Sequence, residues 1–259
     1  MVFTTMSITV LVALAIIALF AGIGITTIGP GGIFVTIALY SLTPLPSATV
    51  AGTAHATFIA TGIVGTLAYI RSGELGGDDG RQMAVVLSAT SIVGALAGAY
   101  LNAYVSRELF GLLLGGFAAL VGAVLLYRQQ NSLDRSVGID GSPSVGRLEL
   151  GALGVGLGVS SGLIGVGGPV LAVPALVVIG VPMLLAVGVA QVQSIFIAVF
   201  ATSGYLSYGA VSLPFVILVG VPQLIGVVVG WRIAHRTDPE RLKTVLGGVL
   251  ILVGVYLAI

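Results

Sequence analysis

Apolar residues run along this chain in long uninterrupted blocks separated by short polar stretches. Uncharged apolar stretches cover 7–28, 31–43, 47–70, 82–104, 109–127, 150–165, 168–180, 183–208, 211–231 and 244–259. They show no alternation of period two, so they predict helices and not the strands of a barrel. Most approach the ~20 residues that a helix needs to cross a ~30 Å hydrocarbon core. Two fall short, 31–43 and 168–180, with 13 residues each. Each short block follows a glycine-rich break inside apolar sequence.

The two breaks are copies of one motif. Ile28-Gly29-Pro30-Gly31-Gly32 returns 136 residues later as Ile164-Gly165-Val166-Gly167-Gly168. The register then holds without a gap, with 11 identities over the 46 positions 28–73. Pro46 falls on Pro182, Gly52 on Gly188, Thr66 on Thr202, Tyr69 on Tyr205 and Gly73 on Gly209. The expected fold is an all-α polytopic membrane protein. It has about ten apolar segments in two inverted repeats of five, each with a Gly-rich broken helix. The expected boundaries are 1–128 for the first repeat, 129–147 for a cytoplasmic linker of loop composition, and 148–259 for the second repeat. A matched pair of interrupted segments in two halves of a membrane chain points to a transporter's binding site.

Loop charges choose the number of crossings. If the short segments cross, loops 71–81, 128–149 and 232–243 share one side, with nine basic residues against one. If they only dip and return, the split is five against five. The positive-inside rule selects the first arrangement. It puts five spans in each half, inverts the second half, and places both termini outside. The first apolar block follows no basic residue and is expected to be a retained span, not a cleaved signal.

Composition agrees with this picture and narrows the chemistry. Hydrophobic residues make up 57% of the chain and charged residues 7%, with mean hydropathy +1.17, whereas a soluble domain carries roughly 25% charged residues. A net charge of +1 argues against nucleic acid as a partner. The absence of Cys removes disulfides and thiolate chemistry. Glycines one turn apart, at Gly154, Gly158 and Gly162, at Gly94 and Gly98, and at Gly226 and Gly230, predict helices whose backbones touch.

A helix that starts after a glycine-rich turn presents unpaired N–H groups and the positive end of its dipole. Such a start suits an anion, which nominates Gly29, Gly31 and Gly32 in the first half and Gly165, Gly167 and Gly168 in the second. The same glycines could instead serve only a sharp turn and close packing. No acid lies within a predicted span, which argues against a cation substrate and a carboxylate proton relay. His55 matches Gln191, and Thr57 matches Gln193, so polar side chains stand at matched places just after both breaks. They either line the anion site or make interhelical hydrogen bonds. The stripe Thr49, Thr53, Thr57, Thr61 is expected to serve packing, and Tyr69 and Tyr205 to anchor at the membrane interface. Asn102 and Gln223 receive no assignment. There is no metal-ligand cluster, cofactor motif or nucleophile set, so the chain is not expected to be an enzyme.

The repeated G-x-G-G, the short apolar run, the following Pro, the Ala/Gly-rich helix and the closing Tyr-x-x-x-Gly resemble the TauE/SafE family of sulfite exporters and sulfonate permeases. The stretches carrying the resemblance are 28–73 and 162–209, with a weaker Leu-Gly-Gly match at 114–116 and 246–248. The resemblance implies a multi-pass cell-membrane transporter moving small anions, often sulfur oxyanions or organosulfonates. Pro30 departs from the family's usual Gly. The expected partners are a small anionic substrate and the lipid bilayer, with a coupling ion (H+ or Na+) and a homodimer as open options. A passive anion channel and a transporter of a non-sulfur organic anion are the alternatives.

Overall fold

The computed structural model describes residues 3, 6–130, 146–236, 248 and 250–257. Most of the expected linker, including Arg135, and the basic residues Arg241 and Lys243 lie outside the described residues. Within them the chain is helical throughout: α1 (Ile8–Thr27), α2 (Ile33–Leu42), α3 (Ser47–Arg71), α4 (Asp78–Asn102), α5 (Arg107–Gln130), α6 (Arg147–Ile164), α7 (Pro169–Val178), α8 (Met183–Leu206) and α9 (Leu213–Ala234). Residues 250–257 form a further helix, α10. Six of these helices, α1, α3, α4, α5, α8 and α9, are long and apolar enough to cross a membrane. The short apolar blocks become the ten-residue helices α2 and α7.

Local chemistry sets the helix ends. Ser7 caps α1 by accepting a hydrogen bond from the Val10 N–H at 3.4 Å. Pro46 and Pro182 stand immediately before α3 and α8 in matching extended conformations. Helix α1 stops because Gly29 takes φ +104°, a conformation that side chains disfavour. Pro30 then opens a 3-10 turn, Pro30–Gly32, that leads into α2. Helix α6 stops at Gly165, with φ +75°, and Pro169 starts α7 where its missing N–H is not needed.

The glycine stripes bring helices of the two halves together in parallel pairs. A Cβ on Gly94 would lie 2.2 Å from the Val155 carbonyl oxygen, and one on Gly98 2.3 Å from that of Val159. These contacts advance together along α4 and α6, so the two helices run in the same direction. Likewise α1 runs with α9, since a Cβ on Gly22 would sit 2.1 Å from the Gln223 oxygen and one on Gly230 2.4 Å from the Ile23 oxygen. Each pair is in close backbone contact, and small hydroxyls tie it together: Thr26 donates to the Val227 carbonyl at 2.8 Å and Ser91 to that of Gly154 at 3.0 Å.

The helix ends sort by charge. Glu74, just after α3, bonds His235, just after α9, at 2.9 Å, and Gly80 of α4 faces Leu185 near the start of α8. Arg71, Arg81, Arg232 and the start of α6 at Arg147 therefore share one end. At the other end, Ser47 donates to the Val105 carbonyl and the Ser212 N–H donates to Thr53. Arg107 lies here over the Tyr40 ring, 4.5 Å from its centroid. It donates to the carbonyls of Tyr40 at 2.6 Å and Thr43 at 3.0 Å, and to that of Leu45. Arg107, the one basic residue at this end among the described residues, thus satisfies carbonyls freed where α2 ends.

Candidate anion-binding site

Both breaks meet at the middle of α3. The Phe58 ring is 3.2 Å from a Cβ built on Gly32 and 3.6 Å from one built on Gly167, and Phe58 is 1% exposed. Gly29 faces Val173 and the Pro169 carbonyl of α7, and Thr36 of α2 donates to the Gly165 carbonyl. The residue that matches Phe58 is Ser194, whose Cα lies 3.0 Å from a Cβ built on Gly168. Sequence reasoning missed Phe58, although the Phe/Ser mismatch at one register position was its visible signal.

At the second break, among the described residues, the backbone N–H groups of Gly167 and Gly168 have no hydrogen-bond partner. Both glycines are buried. The carbonyls on either side are taken: the Gly167 oxygen accepts from Val170 at 3.1 Å and the Gly168 oxygen from Ala172 at 3.0 Å. Two adjacent free donors at the start of α7 add to the positive end of its dipole.

The polar side chains bond in matched pairs. Tyr69 donates to the Thr26 carbonyl at 2.7 Å, and Tyr205 to that of Gly162 at 2.6 Å. His55 Nε2 donates to the Ser161 carbonyl at 3.0 Å, and Gln191 Nε2 to that of Ile25 at 3.2 Å. In both comparisons donor and acceptor each shift by 136 positions. Tyr69, Tyr205 and Gln191 satisfy the last carbonyls of α1 and α6, which end inside the protein and out of reach of water, while His55 adds a bond to a Ser161 carbonyl that already accepts from the Gly165 and Val166 N–H groups. Tyr69 and Tyr205 are therefore not interface anchors. Both are 0% exposed, and their hydroxyls hold helix ends.

His55 and Gln191 serve different breaks. His55 touches Ser161, Phe58 and Tyr205. Gln191 lies against Gly62 and Gly65, and Gly65 is ~15 Å further along α3 than His55 at 1.5 Å per residue. The structure does not bring the two together. Because a carbonyl only accepts, Nε2 of His55 carries a proton and Nδ1 is left without a partner. Thr57 turns back to the Ala54 carbonyl of its own helix at 2.8 Å. Gln193 donates to the Ser91 hydroxyl at 2.6 Å, and the Oε1 atoms of Gln191 and Gln193 are unpartnered. Thr53, Thr57 and Thr61 are buried, as expected for packing. Asn102 donates to the Leu163 carbonyl at 2.7 Å, beside the second break. Among the described residues no cluster of three His, Asp or Glu could hold a metal.

Long apolar helices around two short helices that start at buried glycine breaks define a multi-pass membrane protein of transporter type. Residues 14–257 match the family model described as sulfite exporter TauE/SafE, and the chain belongs to this family. The family is one of transporters rather than enzymes, and with the helical bundle it supports an anion-transport role at the cell membrane. Comparison with curated proteins gave no match. Comparison with solved structures gave none either.

Proposed function

We propose that this protein is a secondary transporter that moves small anions, sulfur oxyanions or organosulfonates, by alternating access between two inverted halves of five segments. The halves span 1–128 and 148–259, joined by a cytoplasmic linker at 129–147. The observation that carries the reading is the buried N–H pair of Gly167 and Gly168, from which no hydrogen bond is made among the described residues, set against Phe58 and Ser194. Two neutral donors at a helix start stabilise an anion without burying a fixed positive charge. Two side chains at this break could add a donor: the hydroxyl of Ser194, which lies against Gly168, and His55, whose free Nδ1 would turn from acceptor to donor on protonation. Gly29, Gly31, Gly32 and Gly165 shape the breaks, and Gln191, Gln193 and Thr57 flank them. In this reading the parallel pairs α1/α9 and α4/α6 are the rigid units that rock about the fixed breaks.

The test is sulfite flux in proteoliposomes. A Cβ at Gly167 meets the Phe58 ring at ordinary contact distance, so Gly167→Ala is expected to fold and to slow transport by narrowing the approach to its N–H. Gly31 cannot serve the same test, because a Cβ there would lie 2.3 Å from the Ala21 carbonyl oxygen. Accelerated exchange with anion on the opposite side distinguishes a transporter from a channel. No anion-dependent flux from the parent protein would sink the proposal.

A further inference from the structure

Gln223 sits in the interior of α9, is 0% exposed, and neither its Nε2 nor its Oε1 has a hydrogen-bond partner. An unpaired amide is costly in an apolar interior. The cost is not relieved by local backbone. The residue before it is Pro222, which has no N–H, so the Leu218 carbonyl one turn back lacks its helical donor. One turn of α9 thus carries a free amide donor and two acceptors. Its position is not peripheral. Gly220, on the same face at i−3, lies against Thr57, with 3.5 Å from its built Cβ to the Thr57 methyl carbon. Across the molecule, Gln193 of α8 bonds Ser91 of α4 and leaves its own Oε1 free. Thr57 and Gln193 are register mates, and the α3/α9 and α4/α8 interfaces correspond to each other, so each of these matched interfaces carries one carboxamide, Gln223 of α9 at the first and Gln193 of α8 at the second.

We infer that Gln223 contacts the transported anion and selects an oxyanion that retains one proton, such as hydrogensulfite. A carboxamide offers a donor and an acceptor side by side. A fully ionised oxyanion could use only the donor. An ion with one O–H and further free oxygens uses both, and its proton also answers the excess of acceptors on this turn of α9. A sulfonate has the same single charge and similar shape but no O–H. This inference rests on the anion-transporter reading and deepens it.

The experiment compares hydrogensulfite with methanesulfonate at one mildly acidic pH, on the purified full chain. The measurements are direct binding and melting temperature. Gln223→Leu removes the amide, and Gln223→Met does the same with an unbranched side chain if the leucine variant does not fold. The expected result is a ligand-free melting temperature equal to or above the parent's, because a buried unpaired amide is gone. Hydrogensulfite affinity should fall about tenfold, as two net hydrogen bonds would give, with a smaller loss for methanesulfonate. Parent-like affinity for hydrogensulfite in the folded variant would overturn the inference. So would an equal loss for both anions, which removes the proton selectivity. If the parent binds neither anion, the transporter reading for sulfur oxyanions fails first and this inference falls with it. Parent binding with an indifferent Gln223→Leu sinks only the inference.

Discussion

Phe58 and Ser194 occupy one register position in the two halves, yet one is a ring touched by both breaks and the other a small hydroxyl. In the proposed site that ring borders Gly167, whose N–H would receive the anion. Phe58→Leu keeps most of the volume, so its cost is expected to stay under about 1.5 kcal/mol. The smaller, flexible side chain should raise the initial rate of sulfite flux severalfold, and an unchanged rate would show that the ring only packs. His55 and Gln191 call for different expectations, because they cap different helix ends. Gln191→Ala leaves the buried Ile25 carbonyl without its donor, a loss of roughly 1–3 kcal/mol, whereas the Ser161 carbonyl still accepts from the Gly165 and Val166 N–H groups, so His55→Ala should lower the melting temperature less. Only His55→Ala should also weaken sulfite binding, since His55 stands at the proposed Gly167/Gly168 site and Gln191 at the other break. Weakened binding in Gln191→Ala alone would reverse this assignment. A glutamine in an apolar run signals a buried bond but does not say to which helix. The sequence therefore placed both residues near a break while leaving their partners unreadable.

At the scale of the element, the parallel pairs α1/α9 and α4/α6 depend on glycines whose missing side chain is the contact. Gly94→Ala puts a methyl 2.2 Å from the Val155 oxygen, which the backbone cannot yield cheaply. A destabilisation of about 1–3 kcal/mol is expected. Gly156 lies on the same helix pair but has nothing within 4 Å of a built Cβ, so Gly156→Ala should be neutral or slightly stabilising. Melting curves of the two variants check the contrast, and equal effects would contradict the packing. Here the sequence was readable. Spacing of one turn identified the stripes, and apolar block lengths located α1, α3, α8 and α9 within a few residues. It was silent on which stripe meets which, because glycine spacing carries no partner information. Tyr69 and Tyr205 were misread for a related reason. An aromatic ring with a polar tip near a helix end suits a membrane interface and a buried carbonyl equally well, and only tertiary packing decides between them. The closing pair Glu74 and His235 ties α3 to α9 outside the spans. Burial alone would raise the Glu74 pKa and lower that of His235. The Ser72 hydrogen bond on Glu74 and the Trp231 carbonyl on His235, together with the hydrogen bond and charge between the two residues, outweigh this, so Glu74 is lowered and His235 raised. The His235 contribution is full below its ordinary value of about 6.5 and is lost as pH rises through the raised folded value. That of Glu74 is present above its ordinary value and lost as pH falls through the lowered one. Both groups are partly exposed, so the pair contributes at most about 1 kcal/mol. His235→Asn should flatten the alkaline edge of the melting-temperature profile by that small amount.

For the whole molecule, the decisive question is what the short helices do to the direction of the chain. Helix α1 runs parallel to α9, and α9 begins beside Thr53, near the start of α3. Helices α1 and α3 therefore begin at the same end, which requires α2 to carry the chain back across. In the proposed arrangement the two short helices return the chain, so each half has an odd number of passages and the second half is inverted against the first. The matched bonds from His55 and Gln191, each reaching into the break of the other half, are what such a symmetry would produce. The chain contains no Cys, so single cysteines report sidedness directly. Thr9→Cys and Ser106→Cys, both at exposed positions, should react with an impermeant maleimide added to intact cells. Arg81→Cys and Arg236→Cys, at the basic end, should react only after permeabilisation. Reaction of Thr9→Cys from the cytoplasmic side, with Ser106→Cys still external, would put α1 and α3 on opposite starts. That result would remove the returning passage of α2, and with it the paired breaks as a site reached alternately from both sides.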